Sequence, residues 1–393
     1  MQDFPKELRC VAVADFTRPN EPRPYVLHID GRGGQLAAGC SDGRSWILDP
    51  VSLRQIRCYE SPWNSKGVNV GLRCGKDTPT LYSALKTGEV YCWDTRVPGN
   101  YPMAAFQSYP RQTLASFDVD ATQLLLTAGT ELRDEDAFVL FWDVRAGHRG
   151  SNHAMEPMGV YSESHSNDIT QICFHPTCRD RLATGSADGL VNVFDLQQSM
   201  EEHALTLTCN SESSVASIAW EDVAKGEGRL FCTTHTEGLW LWNIGPDGED
   251  KVEDIHVEDV RRKDIVGGVE LAYLVGGFSA AQDEGLIVVG GASTGHIHLL
   301  QLQKEGLVPL LQFLSPKPET LTDCAPVRCF HWFEGGAAES RLVTGDEDGQ
   351  LVLWAVGENS SESLKRSCDE SESTADIKSL KTELIPPAQS PTS

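Results

Sequence analysis

Three small groups in this 393-residue chain have residue types and spacings that could do chemistry. His165, Thr184 and Asp188 would supply the imidazole, hydroxyl and carboxylate of a nucleophilic triad, in which the imidazole removes the hydroxyl proton and the carboxylate fixes its tautomer. Acyl transfer also needs donors for the oxyanion, and no such motif accompanies these residues. Cys173, His175 and Cys178 bring two thiols and an imidazole together, one ligand short of a structural zinc site. His296 and His298 would leave the same face of a strand, but the sequence places no carboxylate or thiol beside them to complete a metal site. The motifs GxxxxGK[ST], HExxH and GxGxxG opening a helix are absent. The sequence therefore predicts no enzyme, no catalytic residue, no cofactor and no metal.

The elements that must position these residues are repeated. Seven segments share a short apolar strand, a turn usually ending in Gly, and a second run of alternating apolar residues ending in an aromatic or aliphatic residue and often Asp. They occupy 36–49, 81–94, 125–143, 182–195, 231–243, 288–301 and 342–355. Their ends lie 45 to 58 residues apart, near the roughly 40 to 45 residues of a four-stranded propeller blade, with the excess in loops. Each segment is predicted to be a hairpin, because period-two alternation flanks a DG, TG or EG turn and Gly supplies the positive φ. An inner strand is predicted before each hairpin, at 25–29, 68–73, 113–119, 169–174, 215–220, 271–277 and 327–332, and outer strands at 53–59, 205–209 and 307–313. The seventh unit has no outer strand of its own, while 8–14 stands unused before the first. The N-terminal strand is predicted to complete blade seven and close the ring, which removes open sheet edges. The expected fold is all-β, a seven-bladed β-propeller over 1–356, followed by a disordered Ser/Glu/Lys-rich tail at 357–393.

This pattern resembles the WD-repeat β-propeller family over about residues 8–356, with CWDTR at 92–96, FWDVR at 141–145 and DGLVNVFDL at 188–196. The resemblance implies a structural role for the trio in blade four. In such blades a His before the inner strand, a Ser or Thr in the next, an Asp at the hairpin turn and a Trp in the third strand form a buried hydrogen-bond network. Here Phe194 stands in the Trp place, so His165, Thr184 and Asp188 are expected as a three-member version. Blade seven keeps Thr344, Asp348 and Trp354 without the His, blade two has Ser83, Thr87 and Trp93, and blade five is read as Thr233, Glu237 and Trp242. The resemblance also implies a protein-interaction scaffold. In substrate receptors of cullin-4 ubiquitin ligases, WDxR motifs place an Arg against the adaptor subunit, which makes Arg96 and Arg145 candidate partner contacts. Thr95 departs from the aliphatic residue usual before that Arg. The alternative reading has Asp94 and Asp143 capping turns while the arginines form solvated ion pairs.

Loops leading into the inner strands offer further candidate contacts: Trp63, Tyr109, Arg111 and Asp168. With 57 acids against 33 bases the formal charge is -24, and 357–393 holds only seven of the acids and four of the bases, which leaves -21 on 1–356. A surface of this sign repels phosphate, so direct nucleic-acid or membrane binding is not expected, and proteins with basic surfaces are the expected partners of a monomeric propeller within a larger complex. MQDFPKELRC at 1–10 is too charged for a signal peptide, and the twelve scattered cysteines lack a CxxC, so an intracellular, soluble protein of nucleus or cytoplasm is expected.

Overall fold

The alternating segments pair as antiparallel hairpins, and the hairpins are the middle of four-stranded sheets. The computed structural model describes residues 6–8, 10–32, 34–62, 67–109, 112–146, 154–222, 228–245, 251–262, 268–279, 285–304, 306–314, 324–333 and 340–356. The expected tail at 357–393 and the candidate contacts Trp63 and Arg111 lie outside these residues. Naming strands a to d from the centre outward, blade one is Val26–Arg32, Gln35–Cys40, Ser45–Leu48 and Gln55–Tyr59. Blade two is Asn69–Cys74, Thr80–Leu85, Glu89–Asp94 and Ala104–Gln107, and blade three is Leu114–Val119, Leu125–Thr130, Val139–Asp143 and Gly159–Tyr161. Blade four follows as Gln171–Phe174, Arg181–Gly185, Leu190–Asp195 and Leu205–Asn210, and blade five as Val215–Asp222, Gly228–Thr234, Leu239–Ile244 and Lys251–Val257. Blade six is Tyr273–Ser279, Leu286–Gly291, Ile297–Gln303 and Gly306–Phe313.

Blade seven takes strands a to c from Val327–Phe333, Ser340–Asp346 and Gln350–Val356, and its strand d is Cys10–Asp15, antiparallel to strand c. The ring therefore closes through the N-terminal strand, as the unused segment predicts. A second closure has no counterpart in the sequence reading. Lys6–Leu8 pairs in parallel with Leu311–Phe313 on the outer strand of blade six, so the N-terminal chain ties two blades.

The apolar residues at the end of strand c are explained by packing between blades. Each lies against an outer-strand side chain of the preceding blade: Trp93 against Tyr59 at 4.9 Å between ring centroids, Phe194 against Tyr161 at 5.3 Å, and Trp354 against Phe313 at 5.5 Å. Burying such rings contributes to the adhesion between blades. Strand b of blade two is buried at all but its first residue and strand c throughout, because neighbouring blades cover both sheet faces.

The turn between strands b and c requires a left-handed residue, and Gly43, Gly88, Gly189, Gly295 and Gly349 supply it at φ +76 to +107°. Blade five departs from the predicted pattern. Glu237, at φ +65°, occupies the glycine place, donating its N–H to Thr234 O at 3.0 Å as Gly189 does to Ser186 O at 3.1 Å. Thr236 then stands in the Asp place, which corrects the assignment of Glu237 to it. The Glu237 carboxylate instead accepts the Leu274 N–H of blade six at 2.6 Å.

Candidate functional site

His165 lies in the loop leading into strand a of blade four. Its Nδ1 is 3.2 Å from Asp188 Oδ2, and its Nε2 is 2.7 Å from Thr184 Oγ1. An ionised carboxylate only accepts, so Nδ1 carries the proton and Nε2 accepts from the Thr184 hydroxyl. The arrangement matches a triad in atoms but not in access, because Thr184 is completely buried and His165 nearly so. A substrate carbonyl has no route to the hydroxyl. The expectation of three members is too small: Asn192, opposite Thr184 in the ladder, places Nδ2 3.4 Å from His165 Nε2 and donates to Ser164 O at 2.7 Å. Its Oδ1 accepts from Thr208 on strand d at 2.8 Å, so the network crosses the whole blade. The sequence signal was an Asn inside the apolar run LVNVF, two residues before the vacated Trp place.

Burial opposes ionisation of Asp188, but hydrogen bonds from His165 and from the Ser166 and Leu190 N–H groups outweigh it and hold the pKa at about 2. A carboxyl with a lowered folded-state pKa contributes stability above its unfolded pKa and loses it as pH falls through the folded value. The Asp188→Asn variant should therefore be less stable than wild type by about 2 kcal/mol at pH 7. Urea unfolding at a series of pH values should show the gap intact above pH ~4 and closing towards pH ~2. A gap that persists unchanged at pH ~2 would contradict this linkage.

The other blades keep fragments of the network. Trp93 Nε1 donates to Ser83 Oγ at 3.0 Å, and Trp354 Nε1 donates to Thr344 Oγ1 at 2.9 Å. Asp348 makes an ion pair with Arg23 at 3.4 Å. In blade five Thr233 bonds to Ser217 at 2.9 Å, while Trp242 stacks on Trp240.

A polar chain near the central channel was not foreseen. Asp118 on strand a of blade three accepts from Arg73 Nε of blade two at 2.6 Å and from Phe174 N of blade four at 2.9 Å. Asp30 of blade one likewise accepts from Cys74 N of blade two at 2.6 Å. These carboxylates staple inner strands that share no backbone ladder. Their signal was a charged residue within an apolar inner strand, at HID and SFD.

Strands a and c run in the same direction, so the end of c and the start of a lie on opposite rims. Arg96 and Arg145, each two residues beyond the final Asp of strand c, therefore share one rim in adjacent blades. Tyr109 and Asp168 stand on the other. Arg96 forks onto Asp94 at 3.0 and 2.9 Å, with its own N–H capped by the same carboxylate, yet the side chain is 71% exposed. Arg145 and Asp143 repeat the clasp, with 70% exposure. Asp259 and Arg261 form a third copy, unforeseen, after strand d of blade five. Tyr109 is exposed, whereas Asp168 caps the Leu132 N–H of blade three at 2.7 Å.

The Tyr109 rim also carries a groove of about 550 Å³ between the connection that enters blade one and that blade's own b–c turn, lined by Arg18, Arg23, Arg44, Glu21 and Glu60 among others. Arg18 lies over the Trp46 ring at 5.6 Å, a cation–π contact. His175 accepts the Cys178 N–H on Nδ1 at 3.0 Å and packs on Trp220. His296 accepts from or donates to Thr294 at 3.1 Å, while burial, with the His296 charge, lowers the His298 pKa to about 4. Among the described residues, no group of three or more His, Cys, Asp or Glu is placed to hold a metal ion, and no helix is long and apolar enough to cross a membrane.

Residues 155–195 match the WD domain, G-beta repeat family. An uncharacterized WD repeat-containing protein of Saccharomyces cerevisiae is 31% identical over 56% of this chain and 52% of its own length. The WD repeat-containing protein GTS1 of Arabidopsis thaliana is 26% identical over 74% of this chain and 70% of its own length. The WD repeat-containing protein 89 homolog of Dictyostelium discoideum is 24% identical over 57% and 59%. The chain thus spans about half the length of the yeast relative. Among solved structures, a chain of the mitotic checkpoint complex superposes with a TM-score of 0.62 at 15% identity, covering 88% of this chain and 95% of that one. The Cps50 (Swd1) β-propeller domain of Myceliophteria thermophila gives 0.61 at 15%, covering 84% and 97%. These two likenesses concern the fold alone.

Proposed function

From a seven-bladed β-propeller that carries a WD repeat, we propose a non-enzymatic scaffold for protein–protein interaction that holds basic clients, such as ribosomal proteins during assembly. The observation that carries this reading is how the chain uses its charge. Its arginines largely face its own carboxylates: Arg18 with Glu60, Arg44 with Glu21, Arg73 with Asp118, Arg96 with Asp94, Arg145 with Asp143, Arg328 with Glu347. The acids outnumber the bases by 24, and this excess has no basic side chain of the chain left to meet it. A rigid disc with that field attracts a basic protein and accelerates its encounter. Relatives named only as WD repeat-containing proteins are consistent with a binding role.

A second reading, a substrate receptor of a cullin-4 ubiquitin ligase, is favoured by one observation. Two highly exposed guanidinium groups are held at fixed positions on the same rim of adjacent blades. Affinity capture of the full chain beside an Arg96→Ala/Arg145→Ala variant separates the readings. The basic-client reading expects both proteins to recover the same lysine-rich and arginine-rich partners, with the melting temperature little changed, because exposed ion pairs contribute little. Recovery of the cullin-4 adaptor by wild type alone would establish the second reading, and its equal recovery or absence would remove it.

A further inference from the structure

The Tyr109 rim is built from two segments of each blade, the connection into strand a and the turn between strands b and c. In blade four these segments, 162–170 and 186–189, hold Glu163, Asp168 and Asp188 and no Lys or Arg. In blade one they are 16–25 and 41–44, and they hold Arg18, Arg23 and Arg44 against Glu21 and Asp42. On a chain with an excess of 24 acids, this corner runs against the overall charge. The same corner forms the groove of about 550 Å³, a volume within the range of ligand sites.

The two walls of the groove are tied together. Pro19, Pro22 and Pro24 fix three φ angles of the connection. Tyr25 N donates to Ser41 Oγ and Ser41 N donates to Tyr25 O, each at 2.9 Å. Arg44 is held as firmly, with its side chain 6% exposed. Its Nε donates to Asp42 Oδ2 at 2.6 Å, and its Nη2 contacts the same oxygen and, at 3.0 Å, Glu21 Oε2. Burial opposes the Arg44 charge, but these carboxylates outweigh it and raise the pKa above the ordinary arginine value. The third nitrogen, Nη1, is buried without a hydrogen-bond acceptor among the described residues, and so is Nε1 of Trp46, the ring beneath Arg18. A buried donor without an acceptor costs free energy that an acceptor supplied by a ligand recovers.

Arg18 and Arg23 are held loosely. They are 40% and 69% exposed, and their ion pairs with Glu60 and Asp348 are long, at 3.5 and 3.4 Å. Each guanidinium has more N–H donors than these contacts use, so the groove is balanced in charge but rich in donors. A carboxylate matches the guanidinium forks, whereas a phosphate dianion would stand among Glu21, Asp42 and Glu60 at a greater electrostatic cost. A lysine-bearing segment brings no side-chain acceptor at all.

We propose that the groove between 16–25 and 41–44 binds a carboxylate-bearing segment of a protein partner, with Arg18 and Arg23 turning onto its Asp or Glu side chains beside the fixed guanidinium of Arg44. The site is separate from the acidic excess that attracts basic clients, and neither reading needs the other.

A titration of the full chain with a capped hexapeptide of alternating Glu and Ala tests it, at an ionic strength of about 0.15 M, where screening confines the field of the remaining acids to about 8 Å. The Glu peptide should bind at least tenfold more tightly than the isosteric peptide of alternating Gln and Ala, and it should slow amide exchange in 16–25 and 41–44. The Arg18→Gln/Arg23→Gln variant should bind it at least tenfold more weakly, with the melting temperature little changed because both pairs are exposed. Arg145→Gln/Arg179→Gln, which alters the net charge equally through two exposed arginines of the opposite rim, should bind as wild type does. Equal affinity for the two peptides, no detectable binding of either, full binding by Arg18→Gln/Arg23→Gln, or protection confined to another surface would each overturn the site. Displacement of the Glu peptide by inorganic phosphate at equal concentration would overturn the choice of carboxylate.

Discussion

Replacing Asp118 with Ala should lower the unfolding free energy by about 3 to 5 kcal/mol, the scale for removing one partner of a buried ion pair. The side chain is 8% exposed and holds three blades at once: its own, Arg73 of blade two at 2.6 Å and Phe174 N of blade four at 2.9 Å. Without it, Arg73 keeps its charge among inner strands with its closest carboxylate gone, and the Phe174 N–H loses an acceptor. Burial alone would lower the Arg73 pKa, but Asp118 and Asp30 together raise it well above the ordinary arginine value. The loss is therefore electrostatic rather than one of packing, which a second variant can show. Arg73→Met/Asp118→Leu removes both charges and should recover most of the stability, as apolar replacement of whole buried pairs does elsewhere. Urea unfolding of the three proteins measures this, and a single mutant within 1 kcal/mol of wild type would contradict the staple, on the roughly 3 kcal/mol lower bound expected.

The second large effect concerns closure. Phe16 follows the N-terminal strand, is 2% exposed, stacks on Trp46 of blade one at 5.4 Å and donates its N–H to Gly349 O of blade seven at 3.0 Å. Phe16→Ala leaves a cavity at the junction of first and last blades and should cost about 3 to 5 kcal/mol. Val13, on the same strand but 45% exposed, should tolerate Asp within about 0.5 kcal/mol. Deleting 1–16 removes both N-terminal ties and bares the Gln350–Val356 edge, so the truncated chain should aggregate or unfold without cooperativity. Thermal unfolding separates these cases. A truncated chain that melts at the wild-type temperature would show that the ring does not depend on its closing strand.

Much of the fold could be read from sequence because a blade is a local object. Alternation of side chains marks each strand, a glycine turn marks each hairpin, and a strand without a hairpin at one end of the chain meets a hairpin without an outer strand at the other. What escaped detection is long-range or depends on shape. Arg73 and Asp118 are one repeat apart, and nothing local to either identifies the other. Lys6–Leu8 pairs in parallel with a strand about 300 residues away, with no turn to fix its register. Glu237 was misplaced because an EG dipeptide resembles a DG turn, and only the hydrogen-bond pattern reveals that Glu carries the positive φ. Within the candidate site, His165 meets Asp188 at 3.2 Å and Thr184 at 2.7 Å, across 19 to 23 residues of sequence. Asn192 stands alone as a polar residue in an apolar run, and only the ladder that sets it opposite Thr184 makes it a member of the network. The WDxR arginines keep their shared rim, but each is already clasped by its own Asp.

The central claim is that an acidic propeller binds basic proteins through its field. Its most direct test is a titration of the full chain with a purified lysine-rich histone over a salt series from about 50 to 300 mM, a range over which the screening length falls from about 14 to about 6 Å. Binding should weaken at least tenfold across that range. Binding unaffected by salt, or no binding at the lowest salt, would contradict it.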